Sequence, residues 1–176
     1  MIAATVTALL ALGVLAALVL LYRSQAALPR PLHGASLYMN EQRLKIDAPV
    51  ALSGRVDQVW QARDGMLVVT DTKTRRTARV YDSDVVQLSA YAYMLRHSQD
   101  MPVHRTAYVR TPARWGSRFT PVELLPDEAI EAFHARYHAV SHGLTDPRCN
   151  AGEALCNHCG HRPRCPRWTD GSTLPN

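Results

Sequence analysis

Two neighbouring segments between residues 51 and 73 carry the pattern that most restricts the fold of this chain. Residues 51–60 alternate apolar and polar side chains, and an Arg63-Asp64-Gly65 turn then leads into the apolar run Met66-Leu67-Val68-Val69. This arrangement is typical of a β-hairpin. The second strand continues to Lys73, and its apolar first half predicts a strand buried on both faces at the centre of a sheet.

A helix and further strands are predicted after this hairpin. Asp84 is expected to cap a helix over residues 84–97, with Gln87 reaching back as its capping-box partner. Two strand-like runs and a second helix follow, at residues 104–110, 118–125 and 126–143. These segments amount to one α/β domain.

Three charged residues lie at the strand ends of the hairpin: Asp57 on the first strand, and Asp71 and Lys73 on the second. Side chains at i and i+2 of a strand share a face, so Asp71 and Lys73 should point the same way. Pairing of the strands would bring Asp57 to the same cleft. Two carboxylates, with the Thr72 backbone carbonyl as a further ligand, suit Mg²⁺ or Mn²⁺. Such an ion would bind a scissile phosphate while Lys73 orients or deprotonates the attacking water.

A lone Asp-x-Lys is more often a pair of ordinary solvated charges, but here it belongs to a longer pattern. The sequence has Gly54-Arg55-Val56-Asp57, then Asp71-Thr72-Lys73, then Gln87-Leu88-Ser89-Ala90-Tyr91 on the predicted helix. Gln87 and Tyr91 share one helix face, where simple packing against the sheet is the alternative. The chain resembles the RecB-like branch of the PD-(D/E)xK nucleases, whose pattern is Gly-x-x-Asp, Asp/Glu-x-Lys and Gln-x-x-x-Tyr.

The resemblance covers residues 50–96 closely and the remainder to Cys165 more loosely. It implies a restriction-endonuclease-like α/β fold with a central mixed sheet flanked by helices. It also implies that Asp57 and Asp71 bind metal and that Lys73 is catalytic. Gln87 and Tyr91 would support the site or contact the DNA strand.

One position of the family pattern has no clear match. Many relatives add an acidic residue or a His from an earlier helix to the metal site, and this chain leaves little room for that helix. His33 and Glu41 are the available residues. Glu41 is the favoured third acidic ligand, and the alternative is that both residues are ordinary surface groups. One metal, two metals and an impaired site all stay open.

An uncharged apolar run at residues 2–22 precedes the domain. As a helix it could cross a hydrocarbon core of about 30 Å, which predicts a transmembrane anchor. Arg23 and Arg30 follow directly, so the positive-inside rule predicts a single-pass inner-membrane protein with a cytoplasmic catalytic domain. The alternative is a signal peptide cleaved near Ala26, giving a secreted or periplasmic nuclease with disulfides. The predicted parts are the anchor, a juxtamembrane linker with the start of the domain, the nuclease core and a Cys-rich tail, at residues 1–23, 24–48, 49–146 and 147–176.

All the cysteines lie in the tail, at Cys149, Cys156, Cys159 and Cys165. In a reducing compartment such clustering favours metal ligation over disulfides. The spacing suits either a tetrahedral Zn²⁺ site or an iron-sulfur cluster. The tail also resembles that of the small iron-sulfur CRISPR-adaptation nucleases, which implies a structural 4Fe-4S cluster. Those proteins carry their remaining Cys before the core, whereas here Cys149 would have to substitute.

The charge balance favours an anionic partner, because 20 Lys and Arg residues outnumber 15 Asp and Glu residues. Simple solubility is the alternative reason for such an excess. The combined expectation is a membrane-anchored, Mg²⁺- or Mn²⁺-dependent nuclease acting on DNA ends or single-stranded DNA. The alternative is a non-catalytic membrane adaptor with a nuclease-like fold and a zinc-binding tail.

Overall fold

The structure is a computed structural model that describes residues 10, 12–19, 28–75, 77–114, 116–146, 153–160 and 162–165. The chain divides into two compact units, residues 1–134 and 135–176. The strands are β1 (Ser36–Ile46), β2 (Leu52–Gln61), β3 (Leu67–Thr72), β4 (Thr106–Ala113) and β5 (Gly116–Glu123). The helices are α1 (Asp82–Ser98), α2 (Asp127–Ser141) and the short α3 (Glu153–Cys156), with 3-10 turns at Arg30–Leu32 and Arg162–Arg164.

The five strands form one mixed sheet in the order β1-β2-β3-β4-β5. Only the β3–β4 pair is parallel among these neighbours, and α1 supplies the crossover that a parallel pair requires. The main core packs α1 against the sheet and includes Val56, Val69, Leu88, Tyr93 and Val109. This arrangement fits the predicted restriction-endonuclease-like α/β core.

The predicted hairpin is confirmed by the antiparallel pairing of β2 with β3. Gly65 has a φ of +83° in the turn, a conformation that favours glycine, and the Ala62 N–H donates to the Met66 carbonyl at 2.9 Å. Strand β3 is buried from Leu67 to Asp71. The apolar run therefore does form the buried central strand.

Strand β1 was not predicted, because its residues were assigned to a linker and the start of the domain. It is an edge strand that pairs with β2 along its length. Only Met39, Leu44 and Ile46 of its eleven residues are buried, so its sequence lacks the regular apolar alternation that marks a half-buried strand.

The predicted cap of α1 was wrong in position. The helix begins at Asp82, and the Asp84 carboxylate, already inside the first turn, accepts the Tyr81 N–H at 2.9 Å. Gln87 does not reach back to the helix start, because its amide bonds to Lys73 and Asp71 instead. The residue expected to be a capping partner is therefore part of the polar cluster at the end of β3.

The N-terminal apolar run is described only in part. Residues 12–19 are helical, and their large apolar side chains, such as Leu12, Leu15 and Leu18, are exposed. Within the described part of the chain, no helix has both the length and the apolar character needed to cross a membrane.

Candidate active site

Strands β2 and β3 separate at the end of the sheet where the predicted carboxylates lie. Their paired register ends with Gln58 opposite Thr70. One residue beyond, Asp57 Oδ2 accepts the Thr72 N–H at 2.9 Å. The Asp57 side chain thus takes the place of a ladder carbonyl, and this holds its carboxylate against the end of β3.

Lys73, Asp71 and Gln87 close a ring of polar contacts beside this strand end, and Tyr91 bonds to Gln87 from outside it. Lys73 Nζ lies 2.8 Å from Asp71 Oδ2 and donates to Gln87 Oε1 at 2.8 Å. Gln87 Nε2 in turn lies within donor distance of Asp71 Oδ1, at 3.2 Å, and of the Tyr91 hydroxyl, at 3.0 Å. The structure therefore brings Asp57, Asp71, Lys73, Gln87 and Tyr91 into one cluster. We call Asp71, Lys73 and Gln87 the Asp71 ring.

Asp71 is buried but incompletely bonded. It is 3% exposed, and its Oδ2 atom is paired with the Lys73 ammonium at 2.8 Å but has no further polar partner among the described residues. Burial raises the Asp71 pKa above its usual value, the nearby Asp57 and Asp84 add to the rise, and Lys73 opposes it. A buried carboxylate of this kind is costly unless it is paired or coordinates a metal. Its oxygen chemistry fits a hard divalent cation.

A second buried carboxylate, Asp84, lies on the other side of Lys73, with Oδ1 3.8 Å from Nζ. Arg75 makes hydrogen bonds to both of its oxygens, and the Tyr81 N–H donates to Oδ2. Burial alone would raise the Asp84 pKa, but these hydrogen bonds and the positive charges of Arg75 and Lys73 lower it below its usual value. The same hydrogen bond raises the pKa of Arg75.

The Arg75–Asp84 pair was missed as part of the site by sequence reasoning. Asp84 precedes Gln87 by three residues on α1 and therefore shares its helix face, which was an available signal. The contact of Arg75 with Asp84 had no such signal, because Arg75 lies in the irregular segment between β3 and α1.

The glycine of the Gly-x-x-Asp pattern has a packing role. A Cβ on Gly54 would lie 2.8 Å from Tyr91 Cε1 and 3.2 Å from Met94 Cε. The absent side chain makes room for the tyrosine ring, whose hydroxyl bonds to Gln87. Gly54 therefore controls how closely α1 approaches β2 at the site.

A family model of the PD-(D/E)XK nuclease superfamily matches residues 10–166. The chain belongs to this superfamily. Its members typically use Mg²⁺ or Mn²⁺, although some are inactive. Membership supports a nuclease-type function with DNA as the kind of substrate.

Among solved structures, the PD-(D/E)XK chain is similar to the crystal structure of SSO0001, at 16% identity and a TM-score of 0.42. That match covers 75% of this chain and 57% of the other, so the chain spans little more than half of that protein. No curated protein matches.

The two residues considered as a further metal ligand, Glu41 and His33, are bonded to groups outside the Asp71 ring. Glu41 lies on β1 between the register partners of Gln58 and Val56, but its carboxylate is exposed and bonded to Arg55 at 2.6 Å. His33 Nε2 lies 2.8 Å from the Leu28 carbonyl. Neither is hydrogen-bonded to the Asp71 ring, and no group of three metal-ligating side chains occurs in the described ranges. Ligand roles for Glu41 and for the Thr72 carbonyl stay predictions.

The cysteine tail is described in part, since Cys149 lies outside the described residues. Cys156, Cys159 and Cys165 are not joined by disulfides. The Cys159 N–H donates to the Cys156 carbonyl, and the Cys165 N–H donates to the Arg162 carbonyl, both at 3.2 Å. The three residues therefore follow two tight turns, and their role as cluster or zinc ligands stays a prediction.

Proposed function

We propose that this PD-(D/E)XK domain is a divalent-metal-dependent DNA nuclease of the RecB-like type that hydrolyses phosphodiester bonds. The observation that carries the proposal is the buried Asp71 carboxylate at the end of β3, whose Oδ2 atom lies 2.8 Å from the Lys73 ammonium. Buried carboxylates in native proteins are normally satisfied by protein partners or by a metal. With Lys73 and Gln87 as its side-chain partners, the Asp71 carboxylate keeps oxygen lone pairs that a metal ion can use.

Asp57, Asp71 and the Thr72 carbonyl would hold Mg²⁺ or Mn²⁺. Such an ion, when bound, neutralises phosphate charge and activates water. Lys73 has a separate task. Its ammonium is fixed by Gln87 at 2.8 Å, so it can donate to a phosphate oxygen and stabilise the negative charge of the transition state without reorganisation. Gln87 positions Lys73 and Asp71 together, and Tyr91 supports Gln87.

The experiment is a cleavage assay on single- and double-stranded DNA with Mg²⁺ or Mn²⁺, using the full chain in detergent. The parent should degrade DNA only with metal, and Asp71→Ala and Lys73→Ala should not. Lys45→Ala is the matched control, because Lys45 pairs with Asp47 on the exposed surface. Metal-dependent DNA binding without turnover by the parent would favour the non-catalytic adaptor instead. Equal cleavage by the parent and both site variants would overturn the site assignment.

A membrane anchor at the N-terminus is part of the proposal. The support is the uncharged apolar run at residues 2–22 and the exposure of Leu12, Leu15 and Leu18 in the described helical stretch, since exposed apolar surface needs a partner. The chain should resist alkaline extraction from membranes, with its C-terminus accessible to protease only after lysis. A mature N-terminus near residue 26 would show a cleaved signal instead.

The tail is proposed to hold a structural iron-sulfur cluster through Cys149, Cys156, Cys159 and Cys165. The support is the resemblance of the tail to that of the small iron-sulfur CRISPR-adaptation nucleases. The spacing of the four cysteines by itself suits zinc equally well. Protein purified without oxygen should be brown and contain iron and sulfide in equal amounts. Colourless protein containing zinc would reject the cluster in favour of a zinc site.

A further inference from the structure

A groove of about 230 Å³ opens where β4 turns into β5. Its volume equals that of seven or eight water molecules at about 30 Å³ each. Two of its walls are exposed guanidinium side chains, and none of its described lining residues is acidic. The lining consists of Ala78, Thr111, Pro112, Ala113, Arg114 and Arg118. The groove therefore has the charge to receive an anion.

The groove opens on the sheet face that carries the active-site carboxylate. Asp71 is the register partner of Val109 on β4, and Thr111, two residues further, shares the face of Val109. Arg118 is the register partner of Thr111 on β5, so it extends from the same face. Arg118 lies two strands away from Asp71 and two residues further along, so strand spacing puts their Cα atoms about 12 Å apart.

One wall of the groove comes from the segment that follows Lys73. Ala78 lies in this segment, and its carbonyl accepts the Thr120 hydroxyl at 3.4 Å. The segment thus runs from the candidate active site to the groove. Arg75, also in this segment, is held by Asp84, so its charge is already paired. Arg118 on β5 supplies positive charge at the far end of the segment.

We infer that this groove is a second phosphate subsite, in which Arg118, with Arg114 beside it, binds a phosphodiester of the substrate strand away from the scissile bond. The inference rests on the proposed nuclease function for the identity of the strand. A subsite at this distance gives the domain a grip on the nucleic-acid backbone that does not depend on base sequence. It also makes the substrate longer than a single phosphodiester.

The test measures binding of labelled single-stranded DNA to the full chain in detergent and EDTA, at several salt concentrations. Loss of one phosphate contact lowers the slope of log affinity against log salt by about 0.7 for a single strand. Arg118→Gln should show this reduction and weaker binding of every sequence. Arg43→Gln, which removes an exposed arginine from β1, should match the parent. Thermal unfolding checks that the variants fold, and Arg114→Gln repeats the test from the neighbouring wall.

A cleavage arm separates this inference from the nuclease proposal. A dinucleotide has one phosphodiester and cannot occupy both positions, so Arg118→Gln should slow cleavage of long strands and leave dinucleotide cleavage unchanged. If the parent cuts nothing while Arg118→Gln still lowers the salt slope, the nuclease proposal fails and the subsite stands. If the parent cuts DNA and Arg118→Gln keeps the parental slope, the subsite alone is overturned. If Arg118→Gln weakens the binding of inorganic phosphate but leaves DNA binding unchanged, the subsite proposal is also overturned.

Discussion

The end of β3 and the start of α1 each bury one aspartate beside Lys73, and the two differ in how they are satisfied. Asp71 and Asp84 are both 3% exposed, yet the Asp71 pKa is raised and the Asp84 pKa is lowered. Arg75 and the Tyr81 N–H donate to the oxygens of Asp84, whereas Asp71 Oδ2 is paired with the Lys73 ammonium alone among the described residues. Burial raises the pKa of both carboxyls, and at Asp84 the hydrogen bonds and positive charges outweigh it. Both Asp84 oxygens are bonded within the protein, although Arg75 Nε has no hydrogen-bond partner among the described residues. Asp71 keeps an oxygen that a metal ion could share with Lys73.

The largest expected effect is the loss of catalysis on substitution of Asp71 at the end of β3. Asp71→Asn removes the charge that would hold the metal, and loss of several kcal/mol of transition-state stabilisation corresponds to about a thousandfold slower cleavage. Initial rates with Mn²⁺ measure it. Asp47→Asn, a change at an exposed aspartate paired with Lys45, serves as the control. Asp71→Asn protein that cuts at the parental rate would remove Asp71 from the site.

For Asp84 at the start of α1, the expected loss is in folding stability. Asp84→Asn leaves the partly buried Arg75 without its ionic partner, which should cost about 3 kcal/mol, the upper end of the range for hydrogen bonds to charged groups. Urea unfolding of the metal-free protein measures the change. A change below about 0.5 kcal/mol, the size of an ordinary surface substitution, would show that the pair is not the fixed element described above.

A smaller effect is expected where α1 meets β2. In Gly54→Ala the added methyl overlaps the Tyr91 ring, and overpacking of this kind costs about 2 kcal/mol. The double variant Gly54→Ala with Tyr91→Ala tests the cause, because the two changes should be strongly non-additive. Additive free energies of unfolding would place the strain elsewhere.

The smallest effect is the pH dependence of stability, and its sign differs between the two aspartates. The Asp71 pKa is raised in the folded state, so the metal-free parent should gain stability relative to Asp71→Asn as pH falls from the raised value toward the ordinary value of about 3.9. The Asp84 pKa is lowered, so the parent should lose stability relative to Asp84→Asn as pH falls below the ordinary value. Urea unfolding in EDTA across this range measures both, and slopes of the same sign would contradict the contrast.

Much of the strand-end site could be predicted from sequence because its contacts follow local periodicity. Asp71 and Lys73 are two apart on a strand, Gln87 and Tyr91 are four apart on a helix, and a short turn brings Asp57 alongside. The same local rules predicted the buried strand β3.

The contact between Arg75 and Asp84 could not be predicted in this way. Arg75 reaches Asp84 from a segment without regular structure, so their contact depends on how that segment folds over the sheet. Strand β1 was missed for a related reason. An edge strand with few buried residues is fixed by its backbone pairing with β2, which leaves little trace in the order of apolar residues.

The most direct test of the account is Mn²⁺ binding by the parent, Asp71→Asn and Asp84→Asn, measured by titration calorimetry on the full chain. A hard cation such as Mn²⁺ prefers carboxylate oxygen over thiolate, so the tail should contribute little. The account predicts that the parent binds Mn²⁺, that Asp71→Asn loses most of this affinity, and that folded Asp84→Asn protein keeps it. Equal Mn²⁺ affinity of the parent and Asp71→Asn would contradict it.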